Sequence, residues 1–152
     1  DTYLGEPNEK EPTAYWLSAD PIDDCDGSGD HVSGVIAGSA DVDWFVYGGN
    51  DALWPICFVN PTREISSTEP DLRVCAFFQC LAGGNASFTC PGGTTASTSP
   101  EARPGCCSND GFQVDDLSCG GTLDDDAYVF IRIDQPGAPP NACSEYVLTY
   151  HY

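Results

Sequence analysis

Apolar and polar positions along this chain alternate in short runs separated by turn residues. The runs are of strand length: 32–37, 43–47, 56–59, 72–78, 87–89, 112–114, 127–133 and 146–152. No stretch of a dozen residues keeps a 3.6-residue period without a Gly or Pro, so helices are not expected. In 127–133, Val129, Ile131 and Ile133 share one face, while Tyr128, Phe130 and Arg132 share the other. In the last run Tyr146, Leu148, Tyr150 and Tyr152 alternate with Val147, Thr149 and His151. Leu72, Val74, Ala76 and Phe78 likewise face one way. Several strands are apolar on both faces, so long loops are expected to cover parts of the sheets. The pattern predicts an all-β protein, an antiparallel β-sandwich of jelly-roll type. Residues 1–14 read as an extended N-terminal arm and 15–152 as one sandwich domain. Residues 90–108 and 135–142 read as loops, the first long enough to need stapling.

Composition adds the compartment. Nine cysteines in 152 residues point to an oxidising, extracytoplasmic setting. Met is absent even at position 1, so a mature chain or excised segment that has lost its signal peptide is expected. Its start before the arm and its end after the last strand suggest one complete domain. The 24 Asp and Glu against 5 Lys and Arg give a net charge of −19. That excludes nucleic acid, which needs clustered cations, and docking on anionic membranes. No run of about 18 apolar residues offers a membrane span.

Zinc fails on spacing: there is no C-x₂-C pair, and the histidines are only His31 and His151. A disulfide framework is expected over Cys57, Cys75, Cys80, Cys90, Cys106, Cys107, Cys119 and Cys143, with at least three intrachain bonds. Adjacent Cys106 and Cys107 should bond to different partners, and Cys80 and Cys90 flank a turn across which they can pair. Nine is odd, so one cysteine is free or pairs with another chain. Cys25, in a polar loop, is the expected odd one. Asn85-Ala86-Ser87 is an N-glycosylation sequon at a hairpin tip. It is a glycan site in a eukaryotic secreted chain and incidental in a bacterial one.

The acids offer candidate calcium ligands, since carboxylates are the hard oxygen donors that ion prefers. Asp41 and Asp43 place two carboxylates on one side of a strand entrance. Asp24, Asp26, Ser28 and Asp30 space oxygens two apart around glycines, a second candidate. The latter is no EF-hand, because Val35 stands where the twelfth-position Glu belongs. Asp124-Asp125-Asp126 reads as a solvated turn. For catalysis, a nucleophile needs a histidine beside it; His31 sits in a Gly/Ser/Asp loop and His151 next to the last residue, and G-x-S-x-G and H-E-x-x-H are absent. With so many acids, chance carboxylate pairs carry no specificity for glycoside hydrolysis.

Glu6-Pro7-Asn8, Val32-Ser33-Gly34-Val35-Ile36, Asp41-Val42-Asp43-Trp44-Phe45, Asp71-Leu72-Arg73-Val74 and the closing pair 128–133 and 146–148 occur in an order that resembles the bacterial pre-peptidase C-terminal (PPC) domain. The cysteines and the 90–108 segment depart from that family, as in a cysteine-rich secreted variant. The resemblance implies a non-catalytic jelly-roll sandwich, commonly appended to secreted proteases, where it aids secretion or binds substrate. It also implies calcium between arm and strand, on Glu6, Asn8, Asp41 and Asp43.

Three functions compete. The first is a non-catalytic secreted binding or structural module, either a self-assembling subunit of an extracellular fibre or surface assembly or an appendage of a secreted protease. Its partner would be another protein or the chain itself. The second is a small carboxylate-dependent secreted hydrolase, the third a disulfide-rich inhibitor or toxin acting through 90–108.

Overall fold

The computed structural model describes residues 7–24, 29–51, 63–67 (backbone only), 71–120 and 125–152. Thirteen strands are described: β1 Tyr15–Trp16, β2 Ile22–Asp23, β3 Asp30–Ile36, β4 Val42–Asn50, β5 Arg63–Ser67, β6 Arg73–Cys80, β7 Ala86–Ser87, β8 Thr95–Thr98, β9 Pro104–Ser108, β10 Phe112–Val114, β11 Ser118–Cys119, β12 Ala127–Asp134 and β13 Ser144–Tyr150. The helical content among them is one 3-10 turn, Glu11–Thr13. A seven-stranded sheet runs β1-β4-β12-β6-β9-β8, with β2 also on β4. A four-stranded sheet runs β10-β5-β13-β3, and β7 pairs with β11 separately.

The core follows the two-residue period. Val74, Ala76 and Phe78 of β6 and Val129, Ile131 and Ile133 of β12 are fully buried between the sheets. They meet Tyr146, Leu148 and Tyr150 of β13. Close approach is bought by glycine at two points. A Cβ on Gly34 would lie 2.3 Å from the Tyr146 hydroxyl, and one on Gly49 would lie 1.9 Å from the Tyr152 ring. The outer face of the large sheet holds a second cluster, Trp44, Cys75, Phe77 and Cys107, packed by Ala14, Val42 and Phe130. Trp44 and Phe77 stack with centroids 5.6 Å apart.

Three features depart from the sequence expectation. First, the sheet is mixed, because β1 and β2 both run parallel to β4. Pro21 lies between them and has no N–H for the ladder, so the N-terminal edge is broken into two short strands. Second, the expected loop 90–108 contains a hairpin, β8 pairing with β9 from Thr95↔Cys107 to Thr98↔Pro104. Third, the cysteines pair as Cys75–Cys107, Cys80–Cys119 and Cys90–Cys106. Cys106 and Cys107 thus bond to different partners, but Cys80 does not pair with Cys90. β9 lies beside β6, which puts Cys107 opposite Cys75 in register and leaves Cys106 facing the core toward Cys90. Cys143, expected in a disulfide, is an exposed free thiol just before β13, with no second sulfur in bonding position among the described residues. Cys25 and Cys57 lie outside the described residues.

Candidate functional site

The arm–strand junction is built from buried polar groups. Residue 43 has the same parity on β4 as Phe45 and Tyr47, so its carboxylate enters the core. There Asp43 Oδ2 accepts a hydrogen bond of 2.5 Å from the Tyr146 hydroxyl, joining the two sheets. Asp41 Oδ2 accepts from the Ala37 amide at 2.6 Å and closes the turn before β4. Asn8 is buried, and its carbonyl accepts from the Trp44 amide at 2.9 Å. Asn8, Asp41 and Asp43 therefore all lie about the start of β4; Glu6 lies outside the described residues. In the second candidate set, Asp24 is buried beside the end of β4, its amide donating to the Asn50 carbonyl. Asp30 is exposed and accepts from the His31 amide. Asp26 and Ser28 lie outside the described residues, as does Asp124. Among the described residues no three His, Cys, Asp or Glu side chains gather as a metal site.

The buried acid that pins the N-terminal segment is Glu11, which the sequence reading passed over. Its side chain is fully buried. Oε1 accepts from the Ser99 hydroxyl at 2.7 Å and from Arg103 Nη1 at 2.6 Å, and Oε2 accepts from the Glu101 amide at 2.8 Å. The turn 99–103 thus wraps one carboxylate. Arg103 also donates to Gln79 Oε1 at 2.7 Å and lies 4.0 Å over the Phe130 ring. Ala102 sits in this turn at φ 63°, the one non-glycine residue with positive φ among those described. Beside the clamp is an open hollow of about 260 Å³, walled by Trp16, Phe130 and Pro12 and rimmed by Glu101 and Arg103. Trp16 is 54% exposed and meets Tyr128 edge-on, centroids 5.4 Å apart.

The far end of the same turn leads into β8. Among the described residues β8 is the last strand of the large sheet. The Ser99 amide donates to the Arg103 carbonyl. By antiparallel alternation, Ser97 and Thr95 also direct their backbone groups at β9, while Ala96 and Thr98 direct theirs outward. Residues 74–100 contain no Asp, Glu, Lys or Arg. Thr95, Ala96 and Thr98 are exposed. A groove of about 630 Å³ separates β8 from residues 86–90. Its far wall is held where the Thr89 amide donates to Asp116 at 2.9 Å, a bond that keeps that carboxyl below its usual range. Asn85 is exposed in the turn before β7.

Elsewhere the charges serve the fold. Asp134 accepts from Arg73 Nε at 2.8 Å and Nη2 at 2.5 Å, which raises the guanidinium's pKa. Arg132 lies 3.6 Å from the same carboxylate and 5.9 Å over the Trp44 and Phe77 rings. Burial lowers its pKa. Burial, and then the nearby Asp30, push the Tyr150 hydroxyl up to about 12. No family model matches the chain, and neither does any curated protein or solved structure.

Proposed function

We propose that the chain is an extracytoplasmic, non-catalytic structural module that associates with copies of itself along the β8 edge. The observation that carries this reading is the uncharged edge strand. Copies carrying a net charge of −19 repel one another over most of their surface. The run 74–100 carries β6 after Arg73, β7 and β8 without a charge, so two copies can approach at β8 at least electrostatic cost. An edge strand with outward N–H and C=O groups and no charge or Pro is a template for strand addition. β8 is also rigid, since its partner β9 carries Cys106 and Cys107, bonded to Cys90 and Cys75. Three disulfides among the described residues point to an oxidising compartment. The motif order noted above supports a sandwich of the PPC type, with no reacting group required.

Native mass spectrometry and sedimentation over a range of protein and salt concentrations test the proposal. Association should strengthen with salt, which screens the like charge, and should persist in reductant mild enough to spare the buried disulfides. Ala96→Pro removes one outward N–H, and Thr98→Glu places a carboxylate on the edge. Each should leave the far-UV spectrum intact and the protein monomeric. A wild-type chain that stays monomeric to millimolar concentration at high salt would sink the reading.

A further inference from the structure

The hollow beside Trp16 shares the 99–103 turn with the β8 edge but carries chemistry of its own. Its volume of about 260 Å³ is below the range of drug-sized sites, so it has room for about one six-membered ring. One wall is an indole that is more than half exposed yet held in place by Tyr128. Exposed aromatics held rigid offer contact area at small entropic cost.

The polar rim decides the class of ligand. Arg103 spends Nε–H on Gln79 and one Nη1–H on Glu11. Its remaining N–H donors find no acceptor among the described residues. Glu101, on the rim, is exposed and offers a carboxylate acceptor. A cationic ligand would meet the Arg103 guanidinium. An anionic one would meet Glu101, the buried Glu11 and the field of a strongly acidic chain. A neutral ring bearing several hydroxyls can accept from Arg103, donate to Glu101 and lay its C–H face on Trp16. The positive φ of Ala102 fits this picture, because strained backbone is retained where the surroundings fix a turn for use.

We infer that this hollow is a binding site for one neutral pyranose unit of a carbohydrate. Trp16 is the stacking residue, Arg103 the donor and Glu101 the acceptor, while Glu11 positions the turn that bears the last two.

The test uses the full chain labelled with ¹⁵N-Trp, followed by two-dimensional NMR of the indole N–H groups. The probes are the methyl glycosides of glucose, galactose, mannose and N-acetylglucosamine, with glucuronate and glucosamine as charged counterparts. A one-ring site is expected to bind in the millimolar range. At least one neutral glycoside should shift the Trp16 indole signal saturably and leave that of buried Trp44 in place. Glucuronate and glucosamine should bind at least about tenfold more weakly, a difference of about 1.4 kcal/mol. Trp16→Ala should lower affinity about tenfold or more, read in uniformly ¹⁵N-labelled protein from the chemical shifts of the Ser99, Glu101, Ala102 and Arg103 amides. Glu101→Gln, a surface change that leaves the clamp's amide in place, should lower it several-fold. A glycosylated surface as the source would appear as tighter binding to a soluble neutral polysaccharide than to its monomer. The inference is overturned if no neutral glycoside or polysaccharide moves the Trp16 signal. It is equally overturned if a charged counterpart binds as well as the neutral sugars, or if Trp16→Ala binds unchanged. None of these outcomes bears on assembly through β8, which Ala96→Pro reads separately.

Discussion

Glu11→Ala tests the clamp. The substitution removes an acceptor shared by three donors, all of them buried or partly buried. The Ser99 hydroxyl can rotate, so its loss is small. The Glu101 amide is left without its acceptor, at about 1–3 kcal/mol for an unsatisfied group. Arg103 loses its carboxylate while its side chain is only 21% exposed. Breaking a fully buried pair costs about 3–5 kcal/mol. Arg103 keeps Gln79, the Phe130 ring and some water, so its share is nearer about 1 kcal/mol by solvent screening. The sum is about 3 kcal/mol. At roughly 2–4 °C per kcal/mol for a domain of this size, the melting temperature should fall by about 6–12 °C.

Urea unfolding of oxidised protein, followed by fluorescence and far-UV circular dichroism, gives the free energy directly. Glu11→Gln keeps one acceptor oxygen but opposes an NH₂ group to one of the donors, so it should cost about half as much as Glu11→Ala. The midpoint should move without a change in slope. A loss below about 1 kcal/mol for Glu11→Ala would refute the clamp, since that is the worth of one ordinary surface contact.

Other outcomes follow from the same geometry. Burial and Asp30 raise the Tyr150 pKa to about 12 in the fold, above the ordinary phenol value of about 10. Tyr150 therefore adds stability that is complete below pH 10 and is lost as pH rises through about 12; Tyr150→Phe should flatten the alkaline fall in stability by about 2–3 kcal/mol. Asp43→Ala removes the acceptor of the hydrogen bond from the buried Tyr146 hydroxyl and should cost about 2–4 kcal/mol in urea unfolding, whereas a cost near zero would mean that this bond adds nothing to the fold. Non-reducing peptide mapping should find Cys75–Cys107, Cys80–Cys119 and Cys90–Cys106 linked, and iodoacetamide should label Cys143 in the native protein. Millimolar Ca²⁺ added to EDTA-treated protein tests the arm–strand ion: a melting temperature that does not move leaves Asp41 and Asp43 with their internal donors alone. A saturable rise would instead place an ion on Glu6, Asn8, Asp41 and Asp43.

The strongest strands were legible because their period is written in large residues. Val129, Ile131 and Ile133, with Tyr146, Leu148 and Tyr150, announce the core face and occupy it. The β8–β9 hairpin was not legible, because Thr, Ser, Gly and Pro give the same composition to a strand as to a loop. What makes it a hairpin is non-local: β9 pairs with β6, and two disulfides hold it there. Asp43 carries two signals. Its spacing from Asp41 suggests a metal site, and its parity with Phe45 and Tyr47 turns it toward the core. A carboxylate there must find a donor, which Tyr146 supplies. Glu11 carried no local signal, for its three donors lie 88 to 92 residues away along the chain.

The clamp also links the two proposed surfaces, because one turn serves both. Residues 99–103 end β8 on one side and carry Glu101 and Arg103 on the other, and Glu11 is the acceptor around which they close. Trp16 lies outside that turn, on β1. The two perturbations should then separate. Trp16→Ala removes the stacking face and leaves β8 as it was, so sugar affinity falls while association is unchanged. Glu11→Ala releases the turn, so sugar affinity and β8 pairing should weaken together, each by the entropy of reordering the turn on binding. Shared loss in Glu11→Ala with selective loss in Trp16→Ala would assign both properties to one fixed element. Loss of sugar binding with association intact in Glu11→Ala would show instead that β9 and its disulfides alone hold the β8 edge.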